Sequence, residues 1–396
     1  MISIAGGVYA ERCRYPAWDQ IYGSGLRAAI AISSVSDAVR LHAYVPDEWL
    51  EDVETTLASF GVAGRLRASE HKMTFEYLHA FEPKTLPEEP LPPCPNLEVE
   101  DGVVLRFGML EGDAYVKGDR VVYDPQSPNA SFHANGSNAG SLAMVVSGRE
   151  LLSLVPAYAK KGSGDETRRH MPDDDILLAA IVAQRDLPRP PQVVLVKDGL
   201  GGLMVFQGDQ PVRIPSYAAE SFFRIGSGDV TAAAFAHAWG ELGWDPVDAA
   251  DYAARCTAHF VEGPRLPLPS VAEVSNRMPS TIRRGEIRIV GLGDFELQAL
   301  VLTTRSWLSY LGGVVRHVTL GLDDLDSRVH EGVDLLLVGS RCSEIELEAA
   351  ARAGLQPTVV FWPTAEADFL RGYFPGAVVA RDYATALYHV MRSPKR

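Results

Sequence analysis

The stretch Ile225–Trp239, IGSGDVTAAAFAHAW, constrains this chain more than any other: small residues and an aspartate lead straight into an apolar, alanine-rich helix. Gly226, Ser227 and Gly228 let backbone amides approach a ligand closely, and the helix aims its positive end at the same point. Together these make an anion hole suited to phosphate. Asp229 stands at its mouth, where it can accept the proton of an attacking hydroxyl. The same carboxylate can also be a first-turn residue stabilised by the helix dipole. A second Gly-Ser-Gly-Asp, from Gly162 to Asp165, is followed by charged residues instead of an apolar helix and reads as a loop.

Around this junction the pattern alternates. Ile2 to Ala5 is a short apolar run entering the turn Gly6–Gly7, and Gly23, Ser24 and Gly25 precede the helix-forming LRAAIAI. Trp49 to Phe60 places Leu50, Val53, Leu57 and Phe60 on one helical face. Val121 to Tyr123 and Leu142 to Val146 read as strands, Arg149 to Val155 opens a helix, and VVLVKDG followed by LMVFQGDQPVRI reads as a buried strand and a hairpin. Asp248 to Phe260 is a further helix, and residues 82 to 96, rich in proline and acid, form an exposed loop or edge.

Past the proline-rich segment Gly263–Pro279 the chain becomes a compact repeat. Strands are expected at Ile287–Val290, Val314–Leu320, Leu335–Val338, Thr358–Trp362 and Ala377–Ala380. Helices are expected at Glu296–Tyr310, Ser343–Ala353, Ala365–Tyr373 and Tyr383–Met391. Such alternation implies a parallel sheet covered on both faces.

A chain of 396 residues with 46% hydrophobic and 22% charged residues suits a large and a small globular domain. Its net charge of -14 and the lack of any Lys/Arg run argue against nucleic acid. The four cysteines form no CxxC pair, which argues against a zinc site or a disulfide framework and fits a reducing cytoplasm. The opening residues lack the basic flank and apolar core of a signal peptide, and no apolar run is long enough to span a membrane.

The order of these pieces resembles the ribokinase (PfkB) family of carbohydrate kinases over most of the first 265 residues. GSGDVTAAAFA is similar to that family's second signature, VVLVKDGLGGLMVF to the strand and Gly-x-x-Gly turn beside the nucleotide, and VVSGRELLSL to its Asn-x-x-Glu segment. YVPDEWLEDVETTLASFGV and YGSGLRAAIAI resemble its early Asp-helix-Gly-Val segment and its glycine-rich sugar signature. The resemblance implies a kinase using ATP and Mg2+, with Asp229 as catalytic base. Gly226, Ser227, Gly228 and Arg224 would bind phosphate, Gly199 and Gly202 would lie beside the nucleotide, and Glu150 would organise magnesium. Glu11, Gly23, Ser24, Gly25 and Arg27 would hold a sugar or nucleoside acceptor. The chain departs from the family at Phe223 and Arg224 (usually Asp-Thr), Ser147 and Arg27 (each usually Asn) and Glu11 (usually Asp).

The segment GVDLLLVGSRCSEIELEAAARAGLQPTVVFW resembles nucleoside 2-deoxyribosyltransferases and sets Glu346 on their nucleophile, able to attack an anomeric carbon. Ser343-x-x-Glu346 is equally a capping box. The expected architecture is therefore α/β: a ribokinase-like three-layer domain with a small β lid over residues 1–265, a linker over 266–284, and a doubly wound parallel α/β domain over 285–396. The lid should draw on Val8–Arg14 and on residues 73–80 or 103–123. The expected activity is phosphorylation of a sugar or nucleoside hydroxyl in the cytoplasm, away from membranes and nucleic acid. The alternatives are glycosyl transfer or N-glycosidic cleavage through Glu346, and a non-catalytic sugar- or nucleotide-binding protein. The sequence leaves the oligomeric state open, with a homodimer one option.

Overall fold

The computed structural model describes residues 1–89, 91–127, 131–153, 176, 179–180, 182–183, 189–208, 211–282, 286–293, 295–321, 333–339, 341–363 and 367–392. The second Gly-Ser-Gly-Asp and the tip of the expected hairpin at Asp209 lie outside them. The strands are β1 (Ile2–Ala5), β2 (Ala10–Tyr15), β3 (Trp18–Ile21), β4 (Val39–Pro46), β5 (Ala63–Ser69), β6 (Thr74–His79), β7 (Pro83–Leu86), β8 (Leu97–Phe107), β9 (Ala114–Asp124), β10 (Asn138–Ser147), β11 (Val193–Lys197), β12 (Leu203–Phe206) and β13 (Pro211–Ile214). Beyond them come β14 (Glu286–Leu292), β15 (Val314–Leu320), β16 (Val333–Val338), β17 (Pro357–Phe361) and β18 (Val378–Ala380).

Continuous apolar strands such as β1 and β11 bury both their faces, which places them mid-sheet. The main sheet has nine strands in the order β13-β12-β11-β10-β9-β8-β1-β4-β5. It is parallel from β5 to β11, and the β12 and β13 pairings are antiparallel. The strand period of two divides its side chains between two cores. Val193 and Leu195 face the core shared with helices Gly23–Ile32, Ser227–Phe235 and Pro246–Val261. Val194 and Val196 face the opposite core, with Leu151 and Ile176. This is the three-layer arrangement expected.

A separate four-stranded sheet, β3-β2-β6-β7, forms the lid. Both expected lid segments, around Val8–Arg14 and at 73–80, are in it. The other option, residues 103–123, falls instead in β8 and β9 of the main sheet, where an apolar parallel pairing buries both faces. The proline-rich 82–96 stretch supplies the edge strand β7.

The third sheet is parallel throughout, in the order β15-β14-β16-β17-β18, with helices Phe295–Tyr310, Glu344–Arg352, Ala367–Tyr373 and Tyr383–Arg392 between and after its strands. Alternate residues again separate, with Leu335 and Leu337 in the core that continues into the first residues' helices and Leu336 and Val338 in a core of this sheet's own.

The expected linker is held down. Ser270 and Glu273 close a capping box on the short helix Val271–Val274, Arg277 makes two bonds to Glu262 at 2.9 and 2.8 Å, and the Ser280 amide donates to the Ser216 carbonyl at 2.7 Å. The last helix then docks on the segment preceding the Gly226 turn. The Ala219 amide donates to Tyr388 Oη at 2.9 Å, the Phe222 amide donates to Thr385 Oγ1 at 2.8 Å, and Phe222 stacks on Tyr388. The lid touches the same unit: Phe81 stacks on Trp307, His79 lies against Tyr383, and Tyr15 meets the edge of Phe361. Among the described residues no helix is long and apolar enough to cross a membrane.

Candidate active site

Gly226 adopts φ 78°, and a Cβ there would lie 2.1 Å from Arg27 Nε, so both backbone and space require glycine. The turn delivers Ser227 to the first position of helix Ser227–Phe235. The Ser227 amide is already committed to the Arg224 carbonyl at 3.0 Å, which removes it from the expected anion hole. Helix geometry leaves the amides of Gly228 and Asp229 without intrahelical acceptors. A Cβ on Gly228 would stand 3.5 Å from Lys197 Nζ, so an ammonium lies over the same turn.

The Asp229 side chain is 14% exposed. Its Oδ2 receives Arg27 Nη1 at 2.9 Å, and its Oδ1 receives Gln126 Nε2 at 2.8 Å. Burial pushes its carboxyl above the ordinary range, and Glu11 adds to the effect of burial, while Arg27 and Lys197 pull against it. Arg27 is 2% exposed and bridges two carboxylates, pairing with Glu11 through Nη2 and with Asp229 through Nη1. Burial works against its charge, but Glu11 and Asp229 outweigh that and raise its pKa. Its guanidinium also sits 5.1 Å from the Tyr22 ring.

Glu11, on lid strand β2, is 4% exposed. Its Oε1 takes the Gly23 amide at 3.2 Å, while its Oε2 takes Trp18 Nε1 at 3.2 Å and Arg27. The residues expected to grip the acceptor are thus brought together but bound to one another. Gly23 and Gly25 have a packing reason of their own: added Cβ atoms would meet the Gly7 and Gly6 carbonyl oxygens at 2.6 and 2.5 Å. Buried Ser24 Oγ has no partner among the described residues.

A second cluster lies at the carboxyl edge of β9, β10 and β11, and sequence reasoning missed most of it. Lys197, the last residue of β11, donates to Asp124 Oδ2 at 2.6 Å, and Asp124 ends β9 with its side chain 1% exposed. Burial pushes the Asp124 carboxyl up and Glu150 adds to it, while Lys197 opposes. For Lys197, burial opposes the charge, but Asp124 and Glu150 outweigh it and keep the ammonium protonated. Glu150 caps its own helix, accepting the Ser147 amide at 2.6 Å, and its charge is felt at both partners. The available signal was a polar residue closing each apolar strand, VVYD and VVLVK, because parallel strands end at one edge.

These residues fit a magnesium ion. Asp124 Oδ1 is buried and has no hydrogen-bond partner among the described residues. Asp124, Glu150, Asp229 and Glu11 outnumber Arg27 and Lys197, so the site favours a cation. No group of three or more His, Cys, Asp or Glu among the described residues is arranged to hold a metal. Magnesium keeps several waters and binds through one or two carboxylates with substrate phosphates.

Other expected residues lie elsewhere. Arg224 lies over Phe81 and Tyr310 at 4.5 and 5.6 Å and reaches the Ala80 carbonyl at 3.5 Å, so its guanidinium joins lid to C-terminal unit. Gly199 (φ 52°) and Gly202 (φ 90°) shape the turn from β11 to β12, and a Cβ on Gly202 would lie 2.1 Å from the Ile214 carbonyl oxygen. Nothing lies within 4 Å of a Cβ placed on Gly199, so that side of the turn is open. Glu346 Oε2 takes the Ser343 amide at 2.7 Å and the Ser343 hydroxyl at 2.8 Å, and the Ser343 hydroxyl accepts the Glu346 amide. This is the complete capping box that Ser343-x-x-Glu346 also spelled. Its hydrogen bonds from Ser343 hold the Glu346 carboxyl below its usual pKa.

No family model matches the chain, and no curated protein matches it. The chain is similar to solved structures of ribokinase-family kinases over about 70% of its length. One is a pyrophosphate-dependent kinase in the ribokinase family complexed with a pyrophosphate analog and myo-inositol, at 16% identity and TM-score 0.47, covering 70% of this chain and 100% of that one. Another is the aminoimidazole riboside kinase of Salmonella enterica, at 11% identity and TM-score 0.49, covering 69% and 98%. A third is the ribokinase of Thermotoga maritima, at 14% identity and TM-score 0.46, covering 69% and 98%.

Proposed function

We propose that residues 1–265 transfer a phosphoryl group from ATP to a hydroxyl of a small sugar or nucleoside, with Asp229 as the base. The observation that carries this reading is the Asp229 carboxylate. It opens a helix behind a left-handed glycine turn, lies beside Lys197 and the Asp124–Glu150 edge, and is bonded to Arg27, which also pairs with Glu11 of the lid. Base chemistry needs a proton acceptor whose pKa is lifted toward the working pH, and burial lifts this one. Asp229 takes the hydroxyl proton as the acceptor oxygen attacks the terminal phosphorus. The amides of Gly228 and Asp229 and the Lys197 ammonium face the charge that develops on the transferred group. Asp124 through Oδ1, with Glu150, would hold magnesium. That ion would supply neutralisation of the donor phosphates.

Residues 266–284 connect this unit to the second one, 285–396, whose work in this reading is to hold the lid and the approach to the turn. One observation favours a second reading, a non-catalytic sugar- or nucleotide-binding protein. Arg27 engages both Glu11 and Asp229, so the two carboxylates bond to the protein itself. Incubation with ATP, magnesium and a panel of sugars and nucleosides separates the two. Transfer to a panel member supports the kinase, whereas ATP binding without transfer to any of them supports the binding protein.

A further inference from the structure

Two residues past Asp124, Gln126 has φ 52°, the sole positive φ at a non-glycine position among the described residues. A side-chain-bearing residue stays there only where its surroundings over-determine it, and such outliers gather at functional sites. Gln126 is exposed, and its amide donates to Asp229 Oδ1 at 2.8 Å. The two carboxylate oxygens are therefore held unequally. Oδ2 belongs to Arg27, a cation 2% exposed and anchored on a buried helix. Oδ1 belongs to a neutral amide on an exposed loop. A carboxylate acting as base must offer one oxygen to the incoming hydroxyl, and of the two partners only Gln126 can leave without uncovering a buried charge.

We propose that Gln126 is a positioning residue that occupies the proton-accepting oxygen of Asp229 until the acceptor hydroxyl replaces it, and so keeps water off the base between turnovers. This rests on the kinase reading. In the productive step the acceptor O–H donates to Asp229 Oδ1 and its oxygen bonds to the terminal phosphorus of ATP. The bond from that phosphorus to the bridging oxygen breaks, ADP leaves with the electron pair, and the proton ends on Asp229. Water in the acceptor's place gives inorganic phosphate by the same balance, and that is the reaction the Gln126 amide suppresses.

The test uses the full chain with Gln126→Gly, which relieves the backbone and removes the amide. A second variant, Gln126→Asn, tolerates the same φ but stops a methylene short. With MgATP and no acceptor, both should hydrolyse ATP about tenfold faster than wild type, the worth of one hydrogen bond to a charged group. With fructose, ribose, myo-inositol or adenosine, whichever is phosphorylated best, KM should be no higher than that of wild type. Adding that acceptor without nucleotide should shift the Gln126 side-chain amide resonance. Unchanged hydrolysis alongside normal acceptor turnover would overturn the placeholder role and leave the kinase reading standing. A raised KM with lowered kcat would also overturn it, by showing that Gln126 holds the acceptor. Wild type that transfers phosphoryl to neither acceptor nor water would bring down both.

Discussion

Arg27 was expected to help hold the acceptor, and its effect is electrostatic before it is steric. It supplies a buried positive charge between Glu11 and Asp229, and so opposes the burial that lifts the Asp229 pKa. Asp229 must be ionised to accept a proton, so a higher pKa moves the rise in rate to higher pH. Arg27→Gln removes the opposing charge. The acid limb of the kcat/KM profile should then move to higher pH, measured against wild type with the same acceptor. The variant should also lose about 3 kcal/mol in urea unfolding, because Glu11 is left buried without its counter-charge. An unmoved acid limb would mean that the titrating group is not Asp229. The glycine turn, Asp229 and their place at a helix start were legible in the sequence, since small residues, an acid and an alanine-rich run are local signals. Arg27's pairing was not legible, because its two partners lie 16 and 202 residues away along the chain. Gln126 and Lys197 were hidden for the same reason.

Strand and helix boundaries in the C-terminal third came through within a few residues, as continuous apolar strands and capped helices carry their own punctuation. The lid was harder. The sequence offered 73–80 and 103–123 as alternatives, and only the pairing of β2 with β6 decides between them. Glu346 and Arg224 show the other limit. A capping box and a nucleophile share one spelling, and an arginine two residues before a phosphate turn can point either way. The last helix offers a test at this scale. Asp382 caps it, accepting the amides of Ala384 and Thr385 at 3.2 and 3.0 Å and the Thr385 hydroxyl at 2.6 Å, and burial pushes its carboxyl up to about 6. The folded pKa exceeds the unfolded one, so ionising Asp382 weakens the fold as pH climbs from about 4 to about 6. Asp382→Asn keeps the cap and deletes the charge, and should gain about 1–2 kcal/mol near pH 7 with nothing gained near pH 4. Equal stability of the two proteins across that range, by thermal melts, would show that the carboxyl is not destabilised by burial.

At the scale of the molecule, one hydrophobic core runs from the main sheet's helices through Trp307, Phe361 and Tyr383 into the third sheet. Urea unfolding should accordingly show one transition, reported alike by near-UV and far-UV signals. Trp307→Ala, which empties the space against Phe81, should lower stability by about 3–5 kcal/mol while keeping the transition single. Two resolved transitions in the wild type would mean that the units fold independently and that the lid is not held by its neighbour. The claim on which the rest depends is that Asp229 is the base of a phosphoryl transfer. Asp229→Asn keeps the shape and leaves the helix start in place, because Gly226 and not Asp229 is the N-cap. Phosphoryl transfer from MgATP to the best acceptor, measured beside nucleotide affinity, should fall roughly 10²–10⁴-fold with affinity nearly intact. An Asp229→Asn protein that transfers phosphoryl at the wild-type rate would contradict the account.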